Sequence, residues 1–260
     1  MKIGFIGVGH MASSILEALT NNKTYSFNIC DLDDKKTTHY ANLMSDRVKV
    51  CDILSLVDDS DVIFLGVKPK DLHDVLSLIK DNIKDQLVIS MAAGFNISEI
   101  IDVTGDIHLI RIMPNTPVLV SSGVTFYTGY NVTSNDLTLF KEMMAYTGSI
   151  YEIEESKMDV VSVLTGSSPA YLDFFLDALS EFGVSLGFSK SEATEFVLKM
   201  AQGVTLLNLN SNKSLKELGR DVCSPGGSTI EGVKVLLDNG LYDLVNAAAT
   251  ASYNKNKNMK

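Results

Sequence analysis

Along the first half of the chain, short runs of consecutive apolar residues alternate with stretches in which apolar positions recur every three or four residues. Unbroken apolar runs mark strands covered on both faces, and the amphipathic stretches between them are the helices that do the covering. The pattern predicts strands near Lys2–Gly7, Phe27–Asp31, Asp61–Lys68, Gln86–Met91 and His108–Met113, each followed by a crossover helix. Helices are expected over Met11–Leu19 and over Asp71–Ile79, where Leu72, Val75, Leu76 and Ile79 share one face. Asn96, followed three residues later by Glu99, reads as a capping box opening a helix at Ile97. Two further short strands are expected at Val124–Tyr127 and Ile150–Ile153. Strands alternating with helices in this way give an α/β fold with a doubly wound parallel sheet.

From about Glu155 the strand-like runs disappear and helical periodicity continues to the end, so an all-helical second domain is predicted over 155–260, after a first domain over 1–154. Ser168-Pro169 supplies an N-cap and the proline favoured at the first helical position. The run through Tyr171, Leu172, Phe175, Leu176 and Leu179 is too apolar for a solvent-facing helix and is expected to be covered, between subunits if not within one. Ser189 with Glu192 reads as a capping box for a helix through Phe196, Met200, Val204 and Leu207, and Ser228 with Glu231 as one for a helix ending at Asn239-Gly240.

A chain of 260 residues with 45% hydrophobic and 21% charged residues can bury one large core or two modest ones. The net charge of −10 argues against nucleic-acid or anionic-membrane partners, which need clustered cations. The one basic cluster, Lys255, Lys257 and Lys260, reads as a frayed solubilising tail. Cys30, Cys51 and Cys223 are odd in number and widely spaced, which supports neither a disulfide framework nor a metal site. Free thiols, the absence of a secretion leader and the lack of an apolar run of membrane-spanning length make the expected location cytoplasmic.

Candidate chemistry gathers at strand ends. Gly7-Val8-Gly9-His10-Met11-Ala12 follows the first strand and opens the first helix, the setting in which such a glycine pattern binds a dinucleotide. Gly7 permits the tight turn, Gly9 leaves room for a pyrophosphate, and small Ala12 lets the helix approach with its positive end toward the anion. Asp31 stands 22 residues beyond Gly9, at the end of the second strand, where a carboxylate accepts from the adenosine ribose. With Asp33 and Asp34 it would repel a 2′-phosphate, which Lys35 and Lys36 only partly offset, so the cofactor choice tilts toward NADH with NADPH left open. Val67-Lys68-Pro69, Ala92-Ala93-Gly94 and the loop around Asn115 in Met113-Pro114-Asn115-Thr116-Pro117 lie at later strand ends, where open parallel sheets bind ligands. In the second half, Ser224-Pro225-Gly226-Gly227-Ser228-Thr229-Ile230-Glu231 places two glycines and hydroxyl residues before a helix, leaving backbone N–H groups to face a carboxylate.

These motifs, together with Gly166-Ser167-Ser168-Pro169-Ala170-Tyr171, resemble those of the pyrroline-5-carboxylate reductases along essentially the whole chain. The resemblance implies a Rossmann domain holding NADH or NADPH, a helical domain that self-associates, and a substrate lying between the cofactor and the SPGG-type helix start of a partner subunit. It implies further that Ser224, Gly226, Gly227 and Ser228 bind the carboxylate of pyrroline-5-carboxylate, that Thr229 contacts the ring nitrogen, and that Glu155 lies near the substrate. The cofactor would meet the Gly7–Ala12 turn, Asp31, Val67–Pro69, Ala92–Gly94 and Asn115. This chain departs from the family at Asp31 and Asp33, at Ile53 and at Gly219-Arg220-Asp221 before the SPGG run.

Two other readings remain to be weighed. A hydroxy-acid dehydrogenase of similar build would need a Lys or His base in the helical domain, and Gly166–Tyr171 offers none. A dinucleotide sensor without turnover would not need the intact Thr229 segment. His10, His39, His73 and His108 show no metal-ligand spacing, and Ser167 and Ser168 lack the setting of a nucleophile.

Overall fold

The computed structural model describes residues Met1–Asn258 and divides them into two compact units. The first runs from Met1 to Gly166 and resumes at Ser252; the second is Ser167–Ala251. The first unit extends past residue 154 because Met158 and Val161 bury their side chains against Met113, with Phe126 and Ile153 alongside.

Its sheet has eight strands in the order β3-β2-β1-β4-β5-β6-β7-β8. These are β1 (Lys2–Ile6), β2 (Ser26–Cys30), β3 (Val48–Val50), β4 (Val62–Leu65), β5 (Leu87–Ser90), β6 (Leu109–Met113), β7 (Gly123–Tyr130) and β8 (Gly148–Glu152). All expected strands are present. β4, β5 and β6 are buried along their whole length, as the predominantly apolar runs of a sheet covered on both faces require. Side-chain alternation splits the core in two: Ile3, Phe5, Phe64 and Ile89 face one layer, while Ile6, Ile63, Leu65 and Val88 face the other. Helix α1 (His10–Leu19) and α6 (Ser134–Met144) cover the first layer; α3 (Ile53–Asp58), α4 (Pro69–Ile79) and α5 (Ile97–Thr104) cover the second. The Asn96–Glu99 capping box at α5 is formed in full.

Not every strand is followed by a crossover helix. β6 and β7 are antiparallel because the link from Met113 to Gly123 carries only a short 3-10 turn, Thr116–Val120, too little chain to return to the starting edge. β3 has three residues, and α2 (Asp34–Leu43) buries only Thr37 and Tyr40, so neither leaves an apolar pattern.

The short α7 (Met158–Val161) is followed by a π-helical turn, Ser162–Ser167. The second unit then contains α8 (Ser168–Ser185), α9 (Lys190–Leu209), α10 (Leu215–Asp221), α11 (Ser228–Asp238) and α12 (Leu241–Lys257), the last entering the first unit at Ser252. Ser168 is not the N-cap of α8: residue 167 is already helical, so the turn before Pro169 never leaves helical geometry. Ser189 and Glu192 do cap α9 reciprocally. The basic tail is not frayed. Lys255 and Lys257 lie on α12, where Asn256 Nδ2 donates to Ser162 Oγ at 3.1 Å and Lys257 Nζ sits 4.6 Å from the Tyr253 ring centre; Lys260 lies outside the described residues. No helix among the described residues is long and apolar enough to cross a membrane.

Within the second unit, burial is sparse. Leu176 and Ser180 are the buried residues of α8, and Ala193 that of α9, whereas Phe174 and Phe182 are 76% and 66% exposed. Leu172, Phe196, Met200, Val204 and Leu207 are exposed as well, an apolar load that a lone chain leaves in water. Light scattering should therefore find a dimer or a multiple of it at every concentration where the protein stays folded; a stable folded monomer as the main species would contradict this.

Candidate active site

The site begins where β1 ends. Gly7 takes φ +87°, a left-handed conformation that favours glycine, and turns the chain toward α1. In the parallel register Ile6 stands beside Leu65, so the turns after β1 and β4 are neighbours. A Cβ on Gly7 would lie 2.8 Å from the Gly66 carbonyl carbon, and one on Gly66 would lie 2.5 Å from the Gly7 oxygen and 2.6 Å from the Ala12 Cβ. Gly9 differs: a Cβ there would meet only the Gly66 oxygen, at 3.8 Å, so the space above it is open. Gly9 is also the N-cap of α1, with no side chain capping the helix and no acidic residue in its first turn.

Asp31 closes the turn from the second strand. Its Oδ2 accepts the Val8 N–H at 2.8 Å and its Oδ1 the Asp33 N–H at 2.9 Å, with Lys36 Nζ at 3.5 Å. Burial works against its charge, but the N–H groups of Asp33 and Val8 and the Lys36 ammonium outweigh it and hold the carboxyl below the usual range. Asp33 caps α2 by accepting from Lys35 N. Burial, reinforced by the Asp31 charge, pushes the Cys30 thiol up.

Gly7, Gly9, Asp31, Val67 and Lys68 of the expected residues line one cleft of about 490 Å³, at the carboxyl ends of β1, β2 and β4 and at the point where strand order reverses. Val8 and Ala12 are buried behind it and serve packing; His10 is exposed and Met11 partly so on α1. Lys36, expected beside the carboxylates, lines the cleft, as do Gly66 and Lys70, which escaped sequence reasoning. Gly66 had a readable mark, a glycine just after an apolar strand, in the same place as Gly7. The open space over Gly9, the uncapped helix start and the ionised Asp31 are the features that a dinucleotide's pyrophosphate and ribose require.

The later strand ends divide. Gly94, with φ +83°, lines a separate cavity of about 400 Å³ with Asn96, Arg111, Glu155 and Asp159, while Ala92 is buried. Pro69 is the first residue of α4. Asn115 Nδ2 donates to Thr165 O at 3.1 Å while Oδ1 accepts from Val124 N at 2.7 Å, which braces the β6–β7 loop. Arg111, buried in β6 and paired with Glu155 at 2.8 Å, shows in sequence only as a charge within an apolar strand, and its partner leaves no mark there.

In the second unit, Ser224-Pro225-Gly226-Gly227 forms a tight turn with Gly226 at φ +72° and Gly227 N donating to Ser224 O at 3.0 Å. This corrects two expectations. Ser228 is the first helical residue of α11 and not its cap, because the turn delivers Gly227 into the N-cap position; and the Gly227 N–H is spent inside the turn. No side chain caps α11, so its first-turn amides from Ser228 and Thr229 onward point outward with the positive helix end. Ser224, Gly226, Ser228 and Thr229 are exposed.

Fold and cleft together define a dinucleotide-binding oxidoreductase of the Rossmann type. The family profile described as "NADP oxidoreductase coenzyme F420-dependent" matches residues 2–94, and that described as "Pyrroline-5-carboxylate reductase dimerisation" matches residues 155–259. The pyrroline-5-carboxylate reductase of Aquifex aeolicus is 34% identical over 249 residues, covering 94% of this chain and 92% of that protein. The pyrroline carboxylate reductase of Plasmodium falciparum, solved with NADP bound, superimposes with a TM-score of 0.91 at 29% identity, covering 100% of this chain and 98% of that one. The enzyme from Streptococcus pyogenes does so with a TM-score of 0.91 at 31% identity, covering 100% and 99%. The chain belongs to the pyrroline-5-carboxylate reductase family.

Gly66→Ala should lower stability by about 1 to 3 kcal/mol, since the new methyl overlaps backbone and Ala12. Urea denaturation and dinucleotide titration should both register the change; unaltered midpoint and affinity would show that the two turns can separate freely.

Proposed function

We propose that the chain reduces 1-pyrroline-5-carboxylate to L-proline in the cytoplasm, with NADH preferred over NADPH. The observation that carries the reading is the pairing, in one chain of this family, of a built dinucleotide cleft with an uncapped, glycine-led helix start at Ser224–Glu231. The free thiols of Cys30, Cys51 and Cys223 suit a reducing compartment.

When bound, the reduced nicotinamide supplies a hydride to the C=N carbon, and a proton on the ring nitrogen completes the amine. The protonated imine is already electrophilic, so the protein's work is chiefly alignment. The amides of Ser228 and Thr229, at the positive end of α11, hold the substrate carboxylate, with the Ser224–Gly227 turn keeping them clear of side chains. The Thr229 hydroxyl hydrogen-bonds the ring nitrogen. Self-association brings the α11 start of one subunit to the dinucleotide of its partner.

Asp31 supports the NADH preference. Its Oδ2 accepts one N–H and keeps a lone pair for a ribose hydroxyl, while Oδ1 is shared between the Asp33 N–H and Lys36, and its charge repels a 2′-phosphate. Replacing Asp31 and Asp33 with Ser leaves Lys36, Lys68 and Lys70 at the cleft opposed there by Asp71 alone. The ratio of kcat/KM for NADPH to that for NADH should rise in the double variant; an unchanged ratio would show that these carboxylates do not face the ribose.

Thr229→Ala leaves the Ser224–Gly227 turn intact, so folding and dinucleotide affinity should hold. Losing one polar contact to the reacting group should cost about 1 to 3 kcal/mol, roughly tenfold to a hundredfold in kcat/KM. Thr229→Ser should keep most of the activity. Wild-type kinetics in Thr229→Ala would return the segment to a plain helix start.

A further inference from the structure

We propose that Arg111 and Glu155 are positioning residues for hydride transfer: their part-buried ion pair clamps both ends of the Ala92-Ala93-Gly94 loop. This rests on the dinucleotide reading above. Ser90, the last residue of β5, pairs in register with Arg111 of β6, so the loop departs beside Arg111. It returns at Ile97, the first residue of α5, whose N–H donates to Glu155 Oε1 at 2.7 Å. That same oxygen accepts from Arg111 Nη1 at 2.8 Å. The circuit Ser90, Arg111, Glu155, Ile97 is thus closed by a strand ladder, an ion pair and a helix-start hydrogen bond.

The helix does not need Glu155 for its own sake. Asn96 and Glu99 already satisfy its start reciprocally, through contacts three residues apart. Glu155 lies 58 residues from Ile97 in sequence, and a tie of that span adds nothing local; it fixes where the helix and the loop before it sit on the sheet. Arg111 is 4% exposed, so the guanidinium cannot swing away to solvent, and Glu155 answers its buried charge.

The loop so held is at the carboxyl end of β5, in the second half of a sheet whose first half carries the glycine turn and Asp31. A dinucleotide lying across the switch point with its adenosine over β2 puts its nicotinamide on the β4–β5 side. The clamp therefore sets the wall against which the nicotinamide lies, and the resemblance-based role of Glu155 as a substrate contact gives way to one exerted through Ile97 and Arg111.

Two variant pairs test this. Glu155→Ala removes both bonds, whereas Glu155→Gln keeps an acceptor for Ile97 and Arg111. Ile97→Pro deletes the N–H at a helix position that tolerates proline, after an Asn96 already extended at ψ 170°, and Ile97→Ala loses similar packing but keeps the N–H. We expect kcat to fall between about tenfold and a hundredfold in Glu155→Ala, because small misplacements of a reacting ring are that costly, with Gln recovering most of the loss. Ile97→Pro should turn over about tenfold more slowly than Ile97→Ala. KM for pyrroline-5-carboxylate and NADH affinity by titration should stay within about twofold, since the adenosine half anchors the cofactor. The fluorescence lifetime of bound NADH should shorten in Glu155→Ala and Ile97→Pro alone, as the nicotinamide loses its wall.

A rise in KM with kcat held would make Glu155 a substrate contact and overturn the proposal, as would equal kcat in the two Ile97 variants or an unchanged lifetime. Should Glu155→Ala not fold, the Ile97 pair decides. The lifetime is read without substrate, so it separates failure of the clamp from failure of the reductase reading, which wild-type inactivity toward pyrroline-5-carboxylate would signal.

Discussion

Gly7 and Gly66 end neighbouring parallel strands, and their backbones stand so close that neither can carry a side chain. Much else depends on that approach. It draws α1 inward through Ala12, leaves Gly9 bare at the start of a helix whose amides face outward, and opens the cleft beside Asp31. Two layers of apolar side chains hold the strands at this separation, with Phe5 and Phe64 stacked at 4.7 Å between centroids on one face. The core exists to present two turns at one level.

Charge is then arranged around the cleft with few groups. Asp31 is a brace for the glycine turn, through Val8, and under the proposed function also the acceptor for the ribose, so that its ionisation would serve shape and recognition together. The Arg111–Glu155 pair does comparable work at the other half of the sheet, where a buried charge is tolerable because it is matched at 2.8 Å. Both are long-range ties from a strand end to a loop. Loops at the carboxyl edge of such a sheet are otherwise free to drift, and catalysis by alignment cannot allow that.

The helical unit follows the opposite logic. It buries few residues of its own and exposes Phe174, Phe182 and Leu207, so its stability is deferred to association. The same unit carries the uncapped start of α11. Under the proposed function, a substrate-binding helix start carried on the self-associating unit makes activity conditional on assembly.

Much of this was legible in the residues themselves. Apolar runs buried on both faces can only be strands of a covered sheet, so five strands, the glycine turn and Asp31 could be placed from sequence, as could the Asn96 and Ser189 capping boxes, which depend on neighbours three apart. The family could be read too, since its motifs are local strings. What depended on partners distant in sequence could not. Ser228 looks like a cap until the Ser224–Gly227 turn moves the helix start, and the bracing of the β6–β7 loop by Asn115 through Thr165 and Val124 leaves no local mark. Arg111 shows only as a charge interrupting an apolar strand, and Glu155 only as one acid among several; that they meet, and that Ile97 meets them, is decided by a fold that brings residues 44 and 58 positions apart to one oxygen. Local chemistry is written in order along the chain, whereas these contacts arise only when the sheet stacks its strand ends.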